Sequence, residues 1–247
     1  MKRRLRNQLT FIILLSTKIM ARMFYRFRIA WIGEQPGDPW QNVKLVLFLN
    51  HTSLYEPLFA GWVPTRFLKN IARNGLLPVA DKTFCRPLVG RFFKLVAGNV
   101  VPVSRERDTS WQRFVAKIRS SSLVVIAPEG RMKRANGLDI GGRPMTVRGG
   151  VADLLLQIPA GRMLIAYSGG LHHVQIPGQT LPRLFKTLKM NVESLDIRHY
   201  CRMLSAACNG DFKKAVIRDL ETRLNRYCPP GPIAVPAFAK VVSGNSR

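Results

Sequence analysis

The 247-residue chain is 47% hydrophobic and carries 39 lysines and arginines against 14 acidic residues, a formal net charge of +25. That length allows one substantial core or at most two small domains, and the charge calls for a polyanionic partner: anionic lipid, a phosphorylated ligand or nucleic acid. Nucleic acid lacks its usual signals, with no zinc-finger spacing, aromatic ribonucleoprotein signature or basic region running into leucine heptads; Cys85, Cys201, Cys208 and Cys228 form neither a Cys-x-x-Cys pair nor a dense disulfide framework, which points to a reducing compartment and assigns no metal or other cofactor.

The chain opens on Lys2, Arg3, Arg4 and Arg6, carries a short apolar run from Leu9 to Leu15, and returns to Lys18, Arg22, Arg26 and Arg28. That run falls far short of the roughly 20 apolar residues of a spanning helix. Leu5, Leu9, Ile12, Ile13, Ile19, Met20, Met23, Phe24 and Phe27 recur at three- and four-residue steps, predicting an amphipathic helix with a basic rim. We read residues 1–32 as a monotopic anchor lying in the headgroup layer of an anionic membrane, on the cytoplasmic face of the cell membrane. A cleaved signal peptide is disfavoured by the positive charges directly after the run and the missing Ala-x-Ala site. An ordinary helix packed on the domain stays open.

A linker rich in Gly, Pro and polar residues covers 33–42, and the folded domain is read over 43–228. Val43 to Leu49 is a short apolar run and predicts a buried strand, as do Phe67 to Ala72, Asn99 to Val103, Leu123 to Ala127 and Met163 to Tyr167. Lys82 to Ala97, Ser110 to Ser120 and Gly149 to Ile158 have helical spacing. Alternating strands and helices predict an α/β fold, a mostly parallel central sheet flanked by helices with ligands at the carboxyl ends of the strands. Asp211 to Cys228 predicts a last amphipathic helix with Phe212, Val216, Leu220, Leu224 and Tyr227 on one side. The tail 229–247, rich in Pro, Gly and small residues, reads as irregular.

Three polar motifs follow predicted strands. The first, Asn50-His51-Thr52-Ser53-Leu54-Tyr55-Glu56-Pro57, sets a carboxylate five residues after a histidine; bonded to one ring nitrogen, it would fix the tautomer that lets the other take a proton. Five residues of straight helix rotate about 140°, so the pair meets only if His51 lies at a loop-to-helix transition. The second, Pro102-Val103-Ser104-Arg105-Glu106-Arg107, offers a guanidinium that can grip a phosphate with two bonds. The third, Ala127-Pro128-Glu129-Gly130-Arg131, joins an acid to a glycine that permits close backbone approach, with Lys133, Arg134 and Arg143 behind it. Adjacent His172 and His173 point to different sides with no carboxylate or cysteine near in sequence, and read as polar loop or strand residues.

Together and in this order, the motifs resemble the glycerolipid acyltransferase family typified by bacterial 1-acylglycerol-3-phosphate acyltransferase. Asn50, His51 and Glu56 match its Asn-His-x-x-x-x-Asp motif, with glutamate for aspartate; Pro102 to Arg105 match a strand leading to arginine; Pro128, Glu129 and Gly130 keep the core of Phe-Pro-Glu-Gly-Thr-Arg. Arg148, Gly149 and Gly150 followed by Leu164 to Tyr167 echo a fourth, glycine-led motif, although Ala166 and Tyr167 stand where a proline is usual. Lys82, Pro87 and Gly90 fall where such enzymes carry these residue types. The threonine after Gly130 is missing, and a one-residue deletion would put Arg131 in the family arginine's place.

The resemblance implies that His51 and Glu56 are catalytic and that Arg105, Glu129, Gly130, Arg131 and Lys82 bind substrate. It implies transfer of a fatty acyl group from acyl-CoA or acyl carrier protein to a lysophospholipid hydroxyl, above all 1-acylglycerol-3-phosphate giving phosphatidate. The same chemistry on another lysolipid, such as an amino-acid-linked one, and a non-catalytic lipid-binding protein are the rivals.

Overall fold

The structure is a computed structural model that describes residues 2–35, 37–81, 100–104, 108–176, 179, 181–207 and 210–230. Among these residues a seven-stranded sheet forms from β1 (Arg26–Ile32), β2 (Val43–Leu49), β3 (Gly75–Ala80), β4 (Val100–Val103), β5 (Leu123–Ile126), β6 (Arg162–Ser168) and β7 (Thr187–Asp196), in the order β1-β7-β6-β2-β5-β3-β4. Every pairing is parallel except β6 with β7. The expected α/β architecture is therefore present. The predicted helix Lys82 to Ala97 and most of the predicted tail lie outside the described residues.

Strand β2 shows how the sheet divides the molecule. Its side chains alternate, so Leu45, Leu47 and Leu49 enter one face and Val46 and Phe48 the other. On the first face they join Met163, Ile165 and Tyr167 of β6 beneath α3 (Ser110–Val115), α4 (Gly150–Gln157), α5 (Ile197–Ala207) and α6 (Phe212–Tyr227). Asp211 caps α6 by accepting from Lys214 N at 2.9 Å, and Val216 and Leu220 are buried with Phe212, Leu224 and Tyr227 packed beside them, the apolar side expected from the sequence. The second face lies under α1 (Lys2–Phe24), a 3-10 helix (Glu56–Gly61) and α2 (Thr65–Asn74).

Two expectations are corrected. Phe67 to Ala72 is helical, inside α2, because Phe67, Leu68, Ile71 and Ala72 repeat at one-turn spacing and face the domain between Pro64 and Gly75; the strand follows in β3. The N-terminal helix stops at Phe24, and Arg26–Ile32 joins the sheet beside β7, so 1–32 is not a separate segment. The β1 sequence RFRIAWI alternates, with Arg26, Arg28 and Ala30 exposed and Phe27, Ile29 and Trp31 packed inward, which is the period of a half-buried edge strand. Helix α1 is also docked rather than merely attached. Thr10, Leu14 and Ala21 are buried, the Lys18 ammonium donates to Val63 O at 2.6 Å and to Thr65 Oγ1 at 3.2 Å, and Arg22 Nε donates to Gly61 O at 2.9 Å. Among the described residues no helix is long and apolar enough to cross a membrane.

Candidate active site

Strands β2 and β5 are parallel neighbours, with Val46 beside Val125, so their carboxyl ends open side by side and bring the first and third motifs together. Asn50 leaves β2 in the left-handed region at φ 62°, a conformation asparagine tolerates better than most residues. Its Nδ2 donates to Ser168 O at the end of β6, 2.7 Å away, and to Cys228 Sγ at 3.4 Å, while the Cys228 thiol donates to the same carbonyl at 2.9 Å.

The chain then curls around a carboxylate. Glu56 opens the 3-10 helix, its Oε1 accepts from Thr52 N at 2.7 Å and Ser53 N at 3.4 Å, and its Oε2 meets His51 Nδ1 in a short contact. A tight turn at a strand end thus closes the five-residue spacing that a straight helix would keep apart. Both side chains are largely buried. Burial pulls the His51 pKa down, but the attraction and hydrogen bond of Glu56, helped by the Glu129 charge, outweigh it and hold the imidazole above its ordinary value. With Nδ1 tied to Glu56, Nε2 is the nitrogen left to take a proton.

Glu129 does something the resemblance does not imply. Its side chain is only 3% exposed, and its two oxygens accept from the backbone amides of Asn50 at 2.8 Å and His51 at 2.9 Å. The carboxylate faces the chain and braces the turn that carries the histidine. Burial pushes its pKa up, against the pull of the two amides and of His51. Gly130 follows at φ 67°, and a Cβ there would come within 3.2 Å of Arg148 Nε, which itself donates to Glu129 O at 3.2 Å. The fourth motif therefore buttresses the third.

Arg131 forms a close ion pair with buried Asp139, and its Nε is buried without a partner among the described residues. Asp139 accepts from the amides of Gly141 at 2.7 Å and Arg143 at 3.0 Å; the Arg143 amide first and Arg131 second hold its pKa at about 2. Sequence reasoning missed Asp139, although an acid just before Gly141-Gly142 signals a turn that closes on itself. Lys82 and Arg105 lie outside the described residues. His172 and His173 sit in a turn, their Nε2 atoms bonded to Lys133 O at 2.8 Å and Thr187 O at 2.9 Å.

A cavity of about 380 Å³ runs from this turn along the second face of the sheet. His51, Glu56, Gly130 and Arg131 line it beside Val46, Phe48, Val125, Leu164 and Ala166, while Leu14 and Phe59 belong to the layer above the sheet. Trp40, Trp62 and Phe67 also line it, packed against one another with Trp40 4.8 Å from Phe67 and 5.0 Å from Trp62. Trp40 and Phe67 cluster with Val43 and Leu123, the first residues of their strands, so these rings close the end opposite His51. From Val43 to Leu49 a strand advances roughly 20 Å. A mostly apolar space with a base in its wall suits an alkyl chain whose reactive carbonyl lies beside His51.

The fold has a counterpart among solved structures. It is similar to the crystal structure of the 1-acyl-sn-glycerophosphate (LPA) acyltransferase PlsC from Thermotoga maritima, with a TM-score of 0.55 at 14% identity, over 92% of this chain and 83% of that one. Among curated proteins no sequence matches the chain. The model of the family described as Acyltransferase matches residues 35–168, from the linker before β2 to the last residue of β6. That stretch is more than half of the chain and contains His51, Glu56 and Glu129, and by it this chain belongs to the acyltransferase family.

Proposed function

We propose that the protein transfers a fatty acyl group from a thioester donor, acyl-CoA or acyl carrier protein, to the hydroxyl of a lysophospholipid, with 1-acylglycerol-3-phosphate as acceptor and phosphatidate as product. The observation that carries the reading is the position of the His51–Glu56 pair at the mouth of the apolar cavity. In the proposed step His51 Nε2 removes the acceptor's hydroxyl proton while its oxygen attacks the thioester carbonyl. The carbon–sulfur bond breaks, the departing thiolate takes the proton back from the imidazolium, and an ester and a thiol result. Glu56 stabilises the imidazolium and keeps Nε2 turned outward. Glu129 keeps the histidine's backbone in place, and the Arg131 Nε, without a hydrogen-bond partner among the described residues, supports a role in binding an acceptor or donor oxygen. Arg105 and Lys82 are proposed to add cationic contacts to the phosphorylated substrates.

We place the enzyme as a peripheral or monotopic protein on the cytoplasmic face of the cell membrane. Helix α1 supports this with Leu5, Leu9, Ile12, Ile19, Met20 and Met23 exposed along one stripe, opposite the face by which Thr10, Leu14 and Ala21 dock, and with no acidic residue before Glu34. Radiolabelled oleoyl thioesters offered with a panel of lysolipids in anionic vesicles test the reading. Transfer to lysophosphatidate that disappears in His51→Ala is expected; transfer only to an amino-acid-linked lysolipid would replace the acceptor, and vesicle binding with no transfer to any acceptor would leave a lipid-binding protein.

A further inference from the structure

A second apolar surface adjoins α1. In the loop before β7, Leu181 and Phe185 are 80% and 69% exposed and Leu184 is exposed beside them. The loop is rooted in the fold: Arg183 N donates to Val174 O at 2.7 Å, Phe185 N donates to Phe24 O at 2.8 Å, and Arg26 N donates to Lys186 O at 3.1 Å. The Phe185 ring meets the Phe24 ring edge-on at 5.9 Å, at the end of α1 where the exposed stripe finishes with Met20 and Met23.

Phe185 stands at φ 58°, in the left-handed region that a bulky residue rarely occupies. A glycine or asparagine would hold this turn with less strain, and the single edge contact to Phe24 leaves most of the Phe185 ring facing outward. Arg183 and Lys186 flank Leu184 and Phe185 in the chain and are exposed, and no acidic residue occurs between Asp153 and Glu193.

We propose that Leu181, Leu184 and Phe185 form a second membrane-inserting element, fixed to the end of α1, so that helix and loop enter an anionic bilayer together as a two-point contact. The inference rests on the membrane reading above and adds to it a named surface and an orientation. Exposed apolar side chains flanked by Arg183 and Lys186, in a stretch without acidic residues, match a leaflet with an anionic headgroup layer over hydrocarbon. A second copy of this chain is the poorer occupant, because it would bring two like-charged faces together.

Flotation with phosphatidylglycerol and phosphatidylcholine vesicles, on the full chain, tests the proposal with three forms. Phe185→Asn combined with Leu181→Ser is expected to bind phosphatidylglycerol vesicles about tenfold more weakly or worse. Phe185→Asn alone is expected to bind more weakly while its melting temperature stays level or rises, since asparagine suits this backbone; a purely structural ring would lower both. Leu9→Ser with Ile12→Ser on α1 separates the two claims. If the natural chain ignores anionic vesicles, the membrane reading itself fails. If the α1 variant loses binding while the loop variants keep the natural affinity, the loop proposal alone is overturned, as it is if the loop variants only convert a dimer to monomers.

Discussion

The two faces of the sheet are built from the same strands and do opposite things. On one, Leu45, Leu47, Leu49, Met163, Ile165 and Tyr167 are fully buried beneath four helices, and a polar chain closes what remains: Tyr167 donates to Glu193 at 2.6 Å, Arg223 bonds Glu193 at 2.6 Å and Asp219 at 2.7 Å, and Tyr200 donates to Asp219 at 2.7 Å. On the other, Val46, Phe48, Val125, Leu164 and Ala166 border an open cavity. Close packing is the default for a protein interior, so a void of about 380 Å³ under α1 and α2 represents apolar contact forgone. The filled face supplies the stability with which the hollow face can stay empty for a substrate.

The largest expected effect is chemical and belongs to the mouth of the hollow face. His51→Ala should lower acyl transfer by about 10²–10⁴-fold, the usual range for a general base, with melting temperature almost unchanged. Next comes the filled face, where Leu47→Ala should cost about 2–5 kcal/mol in denaturant unfolding and leave chain-length preference alone. Glu129→Ala should do both kinds of damage, because it removes the acceptor of the half-buried amides of Asn50 and His51, at about 1 kcal/mol or more each, and lets the histidine drift. Its kcat should fall further than its KM rises. On the hollow face Val125→Phe should shift preference to shorter acyl donors with stability changed by no more than about 1–3 kcal/mol, measured as relative kcat/KM over a donor series. Equal stability losses for Leu47→Ala and Phe48→Ala, without a change of donor preference in either, would erase the distinction between the faces. The smallest effect is expected from Arg22→Ala, which removes one hydrogen bond to the 3-10 helix and should cost about 0.5–1.5 kcal/mol.

How far the sequence could be read follows the same division. Uniform apolar runs gave β2 with both ends correct, β5 and β6 to within one residue, and α6 with its capping aspartate, because strands and helices buried against the filled face carry an unbroken or strictly periodic apolar signal. Strands with one polar side leave a weaker mark: β1, with its alternating arginines, reads as a continuation of the helix before it, and β7, with Leu188, Met190 and Val192 on one side, presents no continuous apolar run. His51, Glu56 and Glu129 were legible as motifs at strand ends. The bracing role of Glu129 and the pairing of Arg131 with Asp139 were not, since backbone amides and a hairpin that folds back leave no mark in residue spacing.

The pH dependence of kcat/KM for the natural chain and for Glu56→Gln tests the central claim most directly. Glu56 lifts the His51 pKa against a burial that lowers it, so in the natural chain activity should rise with pH through a midpoint above the usual imidazole value of about 6.5, as the base loses its proton. The same shift means the pair's contribution to stability is full below that value and is lost as pH rises through the folded-state pKa. In Glu56→Gln burial remains and only the smaller pull of Glu129 opposes it, so the midpoint should fall to or below about 6.5 and the plateau rate should drop by about 100-fold or more. A midpoint and plateau that do not move would contradict the claim that Glu56 orients and charges His51 as the base.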